Sequence, residues 1–280
     1  MLRHLGLKPQ SGRVPRTPHD RDGSHWICFG PLTRTVLDGA IVLDVIQGPQ
    51  ALPTAPGRFE RAARERPPRL RLAVSDAFPA GTSGTLSADV LEALRSTADL
   101  LRSMGHEVVE RDIDFQLRDV PVILGLMFRA IRDFVHEVER PERLERRTRA
   151  LARPGGLVSD ALLERLLHAE RRLRERLGRL FAEHDVLMTP VMSRPAVPAG
   201  IMEGRGATVT YLWETSWVPF TVLWNSTGQP AVSLPAGMST TGLPLAIQLI
   251  ARPAEEETLL SLAAQLEQQR PWTDRHPAVS

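Results

Sequence analysis

Two short apolar segments near the carboxyl terminus, 231–234 and 243–250, constrain the fold of this 280-residue chain more than any other feature. A polar turn at 237–242 separates them, which is typical of neighbouring strands. Because apolar residues run through both segments almost without interruption, both faces of these strands are expected to be covered. Strands covered on both faces lie in the middle of a layered α/β domain. The sequence therefore predicts a sheet with these two strands near its centre.

The segment after these strands, 255–270, predicts a helix that packs back onto the sheet. Acidic residues occupy its first turn, where they interact favourably with the helix dipole, and four leucines follow. Further upstream, 70–74 and 106–111 have the pattern of strands, and the segment between them begins a helix at Ser87. This strand–helix–strand order predicts two parallel strands joined by a right-handed crossover.

Other segments are predicted to cover the sheet. Residues 119–183 are predominantly helical in pattern, and 185–190 has the pattern of a buried strand. A helix is expected at 34–48 with Thr33 as its N-cap and Gly48-Pro49 at its end. Its apolar positions cover most of the circumference, so this helix is expected to be largely buried.

Two segments lack any periodic pattern. Residues 49–68 contain five prolines and are expected to be a surface connection. Residues 191–210 are rich in Pro and Gly, and they are expected to form a long surface loop of the kind that often borders a binding cleft.

Composition narrows the class of protein. The single cysteine, Cys28, excludes an intrachain disulfide and a cysteine-based zinc site, which fits a reducing compartment. The amino terminus has no apolar stretch of signal-peptide length, and the longest apolar runs are too short to span a bilayer. The sequence therefore favours a cytoplasmic protein without a membrane partner.

Two polar features of the sequence are candidate sites. Residues 140–183 contain 12 arginines and 7 acidic residues. This excess of positive charge is typical of segments that bind nucleic acid. However, Arg and Glu interleave at helical spacing without aromatic residues to stack on bases, so a solvated helical face is favoured and no nucleic-acid partner is expected. The histidines and aspartates at 19–25 suit a metal or acid–base site, but their Pro/Gly surroundings favour a polar loop.

Lys8 is the only lysine in the chain. A desolvated lysine acts as a general base near neutral pH. Because Lys8 lies between Leu7 and Pro9 close to the amino terminus, the sequence shows no wall that would desolvate it, and a structural role is expected. The residues alone thus predict a fold class without naming a reaction.

Three blocks together resemble the amidase signature family, serine hydrolases of carboxylic amides. The first block is GLKPQSGRVP with FGPLTRTVLDGAIVLDVIQGP, and the second is RLAVSDAF followed by VLEALRSTADLLRSMGHEVVERD. The third is DVLMTP with PFTVLWNSTGQPAVSLPAGMSTTGLPLAIQLIARPAEEETLLSLAAQLE. The blocks cover nearly the whole chain in the family's order. The resemblance implies one amidase-like domain over 1–280, with a mixed sheet flanked by helices.

The resemblance also implies a mechanism whose central residues have no match here. The family uses a Ser nucleophile, a second Ser after a cis peptide bond and a neutral Lys, without a metal or cofactor. These residues lie upstream of the G-L-K-P block, and only five residues precede Gly6 here. The chain contains no Ser-Ser-Gly-Gly or Gly-Gly-Ser run, and Lys8 falls on a position that is not the family's base. The resemblance therefore implies the carboxyl-terminal portion of an amidase, inactive by itself.

For the full-length parent, the resemblance implies hydrolysis of a small amide to acid and ammonia. Ligands of open α/β sheets lie beyond strand ends, and this rule selects candidate pocket residues. They are Thr189, Pro190, Trp224, Asn225, Thr227 and Gln229. The alternative is a non-catalytic subunit, as a homo-oligomer or with a completing chain, because losing the family's first strands leaves an unpaired sheet edge and apolar surface.

Overall fold

The computed structural model describes residues 4–15, 27–48 and 57–273. Within them, seven strands form one sheet in the order β2-β1-β6-β7-β5-β3-β4. The strands are β1 (Leu5–Lys8), β2 (Leu32–Thr33), β3 (Arg71–Val74), β4 (Glu107–Glu110), β5 (Val186–Pro190), β6 (Ala231–Met238) and β7 (Pro244–Ala251). The two strands predicted from the apolar segments, β6 and β7, are therefore neighbours, and β7 is the middle strand of the sheet.

The sheet is mixed, as predicted. Strand β3 pairs in parallel with β4 and β5, so the predicted parallel strand–helix–strand unit is confirmed. Strand β7 pairs antiparallel with both β5 and β6, and β1 pairs antiparallel with β2 and β6. The turn between β6 and β7 begins where Ser239 accepts a hydrogen bond from the Leu243 amide at 3.0 Å.

Helices cover both faces of this sheet. They are α1 (Val36–Ile46), α2 (Arg58–Arg64), α3 (Ala88–Ser103), α4 (Val120–Glu137), α5 (Arg146–Ala152), α6 (Asp160–Gly178), α7 (Leu180–Glu183), α8 (Ala207–Trp217), α9 (Val222–Thr227) and α10 (Glu256–Gln269). One core joins the sheet to α1, α2, α3 and α10, and a second joins it to α4, α6, α7 and α9. Successive strand residues alternate between them, with Val186 and Met188 in the first core and Leu187 in the second.

Helix α10 forms where the acidic first turn and leucine pattern predict it. Leu259, Leu260 and Leu262 are completely buried in the first core. Burying a leucine side chain stabilises a fold by about 1.5–3 kcal/mol. These residues anchor α10 against the sheet and against α1 and α2.

Helix α1 departs from expectation in its cap and in its burial. Thr35 caps it by accepting a hydrogen bond from the Asp38 amide at 3.0 Å, whereas Thr33 belongs to β2. One face is buried, but Ile41 and Val42 are exposed and Val45 is 77% exposed. The prediction of a largely buried helix is therefore wrong, because apolar periodicity does not reveal whether another element covers each face.

The segment 49–68 also departs from the predicted surface connection, because it contains α2. Residues 49–56 and the cluster at 19–25 lie outside the described residues. The cap of α2 comes from Asp44 of α1, whose carboxylate accepts hydrogen bonds from the amides of Phe59 at 3.2 Å and Glu60 at 2.8 Å. Phe59 is completely buried. A cap supplied from another helix leaves no local sequence pattern to find.

Candidate functional site

A cavity of about 280 Å³ lies where β1, the segment 28–32, α9 and the central strands meet. Its polar lining comes from both ends of the chain. The polar or reactive side chains at this cavity are Lys8, Cys28, Thr221, Trp224, Asn225, Ser233 and Gln248. Because β1 pairs with β6, and β6 with β7, the sheet brings the lining residues together. We call this the Lys8 cavity.

Lys8 is half-buried at the end of β1. Burial lowers the pKa of its ammonium group below the usual lysine range, while the charges of Cys28 and Glu256 oppose that shift by raising the pKa. Its Nζ donates a hydrogen bond to the Pro9 carbonyl oxygen at 3.2 Å. The expectation that Lys8 lacks a desolvating wall is therefore wrong. The other walls of the cavity come from segments far away in sequence, which sequence neighbours cannot reveal.

Cys28 lies beside Lys8 on the same cavity. Its Sγ is 3.4 Å from the Ser11 hydroxyl oxygen, and the Ser11 amide donates to the Gly228 carbonyl at 3.0 Å. These contacts tie the loop after β1 to the carboxyl end of α9. From the sequence, the single Cys28 excludes an intrachain disulfide and a cysteine-based zinc site, and its position at this cavity is not predicted.

Trp224 and Asn225, two of the predicted pocket residues, line the Lys8 cavity from α9. The Trp224 side chain is buried, and its indole Nε1 has no hydrogen-bond acceptor within the described residues. Asn225 is half-buried, and its carboxamide makes no hydrogen bond to the described part of the chain. The carboxamide offers a donor and an acceptor to a ligand in the cavity.

Thr189 does not line the cavity, but it is hydrogen-bonded to Gln248, which does. Its hydroxyl donates to the Pro190 carbonyl at 2.9 Å and accepts a hydrogen bond from Gln248 Nε2 at 3.2 Å. Gln248 Nε2 also lies 3.2 Å from the Phe220 carbonyl oxygen, to which it donates. Thr189 thus holds Gln248, which lines the cavity. Pro190 is buried in β5 and is not part of the lining.

Thr227 and Gln229 are buried beside the cavity without lining it. The Thr227 hydroxyl lies 2.8 Å from Gln229 Oε1 and 3.0 Å from the Leu223 carbonyl. Gly228 between them has φ 78°, a left-handed conformation that glycine adopts without strain. Both side chains thus stabilise the turn from α9 into β6. A direct role for these six residues in substrate binding stays a prediction.

The described residues contain no group of three His, Cys, Asp or Glu side chains arranged to hold a metal ion. In the same part of the chain, no helix combines the length and apolarity needed to cross a bilayer.

Comparison with known proteins identifies relatives along the whole chain. The "Putative amidase AmiB2" of Mycobacterium tuberculosis is 39% identical over 276 residues, which cover 99% of this chain and 59% of the relative. The 6-aminohexanoate-cyclic-dimer hydrolase of Paenarthrobacter ureafaciens is 29% identical over 311 residues, covering 98% of this chain and 61% of that protein. A solved structure of 6-aminohexanoate cyclic dimer hydrolase superposes with a TM-score of 0.82 and 28% identity, covering 98% of this chain and 62% of that one.

The chain thus spans about three fifths of the length of the curated relatives it matches. The family model described as Amidase matches residues 3–260. The match includes every strand of the sheet and the residues that line the Lys8 cavity. Together with the mixed sheet shared with solved relatives, this match shows that the chain belongs to the amidase family.

Proposed function

We propose that this chain carries the amide-binding part of an amidase whose nucleophile comes from outside these 280 residues. The observation that carries the proposal is Asn225, whose carboxamide lines the Lys8 cavity without a partner among the described residues. A carboxamide donates to a carbonyl oxygen and accepts from an N–H group, so it complements an amide ligand. Membership of the amidase family supports the same ligand class.

The proposed substrate is a small carboxylic amide. The cavity volume of about 280 Å³ is close to the lower limit of about 300 Å³ for typical small-molecule sites. In the complete enzyme, a serine would attack the amide carbonyl, release ammonia or an amine, and leave an acyl-enzyme that water hydrolyses to the acid. Asn225 would orient the amide, and Trp224 would shield it from water. No metal or cofactor takes part in this scheme.

The chain alone is expected to be inactive, because it contains no Ser-Ser-Gly-Gly or Gly-Gly-Ser run. The test measures ammonia and amine release from simple linear amides and from the cyclic dimer of 6-aminohexanoate, the compound named for one relative. The expected result is no turnover above buffer. Turnover that a serine-directed reagent abolishes would overturn the proposal that the nucleophile is missing.

Binding tests the pocket separately from catalysis. Isothermal titration of the purified chain with a small amide should show binding that Asn225→Ala weakens about tenfold, the effect of losing one to two hydrogen bonds. Gln268→Ala is the matched control, because Gln268 is an exposed carboxamide on α10 and lies outside this cavity. Equal affinities for both variants would contradict the role of Asn225, without affecting membership of the family.

The second candidate function is that of a subunit completed by another polypeptide. Strand β2 is an edge strand of two residues, and its Leu32 is 78% exposed. Helix α1 follows β2 closely and exposes Ile41, Val42 and Val45. An unpaired edge beside exposed apolar residues is a docking surface for a further strand and apolar side chains. We assign it to a polypeptide equivalent to the two fifths of the relatives that this chain does not match.

Gel filtration and binding of a hydrophobic dye test this second function. The chain is expected to bind the dye, and Val45→Ser should reduce the dye signal with little loss of thermal stability, because the Val45 side chain is 77% exposed. Thr148→Ser with Thr215→Ser is a control that leaves α1 unchanged. A compact monomer that binds no dye would contradict the exposed surface, and a stable homodimer would identify a second copy as the occupant instead.

A further inference from the structure

A second and larger cavity, of about 830 Å³, lies between α5 and the start of α8. None of its lining residues belongs to the Lys8 cavity. Five arginines line it, and we call them the arginine cluster. They are Arg146, Arg147, Arg149, Arg153 and Arg205. Within the described part of the chain, the lining residues include no aromatic side chain.

Helical spacing explains why the cluster forms. Arg146, Arg149 and Arg153 are three and four positions apart, so they project from one side of α5 and its carboxyl end. Arg205 approaches from the segment that leads into α8. Two segments more than 50 residues apart in sequence thus present guanidinium groups to the same space.

The cluster contains little negative charge. Among the described residues that line the cavity, Glu145 is the one carboxylate, and it accepts a hydrogen bond from Arg147 Nε at 2.8 Å. Arg147 also donates to the Met202 carbonyl at 3.0 Å, which ties α5 to the facing segment. Arg205 Nε donates to the Ile201 carbonyl at 3.3 Å, and no carboxylate of the described chain pairs with it.

The other three cluster arginines, Arg146, Arg149 and Arg153, have side chains without a hydrogen bond or ion pair to the described part of the chain. Arg129 in the neighbouring helix shows the contrasting arrangement, because Asp133 at 2.8 Å and Asp160 at 2.9 Å neutralise it. Four exposed arginines of the cluster therefore line one cavity without carboxylate partners among the described residues.

The start of α8 adds a weaker contribution from the backbone. Gly206 is its N-cap and provides no side-chain acceptor for the first N–H groups of this 11-residue helix. Free N–H groups at a helix start favour anions. The partial positive charge at the start of α8 therefore adds to the positive charge of the arginine cluster. Both border the same cavity.

We propose that the arginine cluster binds a small anion with a chain of phosphate groups, such as an inorganic polyphosphate or the phosphates of a nucleotide. Guanidinium groups form paired hydrogen bonds to phosphate oxygens, and several phosphates place enough negative charge in a small volume to neutralise four arginines. A cavity of this size accommodates a ligand as large as a nucleotide. The absence of aromatic lining residues disfavours single-stranded nucleic acid, which uses aromatic stacking. This site is independent of the proposed amide site.

The experiment titrates the full chain with inorganic tripolyphosphate and, in a separate arm, with ATP at low salt. Binding of both is expected. Equal affinities would show that the phosphate chain alone is recognised, and tighter ATP binding would show an added contact to the nucleoside; both results support the site. Arg149→Ala with Arg153→Ala should weaken tripolyphosphate binding at least about tenfold, because the double variant removes two guanidinium groups that would form charge-assisted hydrogen bonds to phosphate oxygens.

The matched control is Arg171→Ala with Arg172→Ala, which removes the same charge from exposed positions of α6 outside the cavity. It should change the affinity less than about twofold, because those residues do not line the cavity and their exposed charges are surrounded by water. Absence of tripolyphosphate binding at low salt would overturn the proposal, as would an equal loss in both double variants. Tight binding of an RNA oligonucleotide that tripolyphosphate fails to displace would also overturn it, in favour of nucleic acid.

Discussion

Arg13 and Glu256 form a buried ion pair that joins the loop after β1 to the first turn of α10. Arg13 Nη2 lies 2.9 Å from Glu256 Oε2, and the side chains are 2% and 0% exposed. The Gln10 amide also donates to Glu256 Oε1 at 3.0 Å. The pair spans 243 positions of sequence. It therefore fixes the loop that follows Lys8 against the helix that covers the centre of the sheet.

Replacing one partner of this pair should destabilise the fold strongly. Arg13→Met is expected to lower the free energy of unfolding by about 3–5 kcal/mol, because it leaves the Glu256 carboxylate buried without its countercharge. Urea unfolding followed by circular dichroism measures the loss. The double variant Arg13→Met with Glu256→Leu should be more stable than Arg13→Met alone, since no unpaired charge remains. Equal or greater loss in the double variant would contradict this account.

Lys8 should titrate below the usual lysine range, because burial lowers the pKa of its ammonium group. Reductive methylation at a series of pH values, followed by mass spectrometry of the Lys8 peptide, measures this pKa directly. The readout is specific, because no other lysine exists in the chain. In urea the midpoint should rise to about 10.4, the value of an unperturbed lysine. A folded midpoint equal to the urea midpoint would contradict the burial effect.

The same shift makes the stability contribution of Lys8 depend on pH. Between the lowered pKa of folded Lys8 and the ordinary lysine pKa of 10.5, the unfolded chain binds more protons than the folded chain. The free energy of unfolding should therefore rise with pH through this window. Lys8→Met should flatten the rise, and chemical unfolding at several alkaline pH values checks it.

Glu267 should show the opposite dependence, because burial raises the pKa of its carboxyl group, although the hydrogen bond from the Val36 amide lowers it. Asp38 adds to the increase in the pKa. The folded chain then binds more protons just above pH 4.5, so the contribution of Glu267 is present below that pH and is lost as the pH rises through the folded pKa. Glu267→Gln keeps an oxygen that accepts from Val36, which lies 3.1 Å from Oε2.

This variant is therefore expected to raise the melting temperature relative to the parent at pH 7.5 and to have a smaller effect at pH near 4.5. Scanning calorimetry at both pH values measures the difference. Gln268→Glu is the control, because it places a carboxyl group at the neighbouring exposed position, where burial does not raise its pKa. A Glu267→Gln effect that is the same at both pH values would contradict the raised pKa.

Ser226 and Glu170 connect α9 to α6 through a buried hydrogen bond. The Ser226 hydroxyl donates to Glu170 Oε1 at 2.5 Å, and both residues are buried. Ser226→Ala should lower the free energy of unfolding by about 1–3 kcal/mol, because it leaves a buried acceptor with one donor fewer. Ser103→Ala, at an exposed serine in α3, should cost less than about 0.5 kcal/mol. Equal effects of the two substitutions in urea unfolding would contradict the prediction.

Local sequence patterns predict correctly those elements whose position in the fold depends on their own residues. The apolar segments of β6 and β7 indicate coverage on both faces, and the structure places Ile250 in one core and Leu249 in the other. The parallel pairing of β3 and β4 followed from their order around one helix. The motif blocks alone also predict the amidase family, and the match over residues 3–260 confirms it.

The environment of Lys8, the cap of α2 and the exposed face of α1 depend on contacts between residues far apart in the chain. Asp44 caps a helix that begins 14 residues later, and Lys8 shares a cavity with Asn225 of α9. Sequence periodicity reports how apolar each face of an element is. The desolvation of a side chain such as Lys8, in contrast, depends on which distant segments pack around it. Those segments come together only in the folded sheet, where β1 pairs with β6.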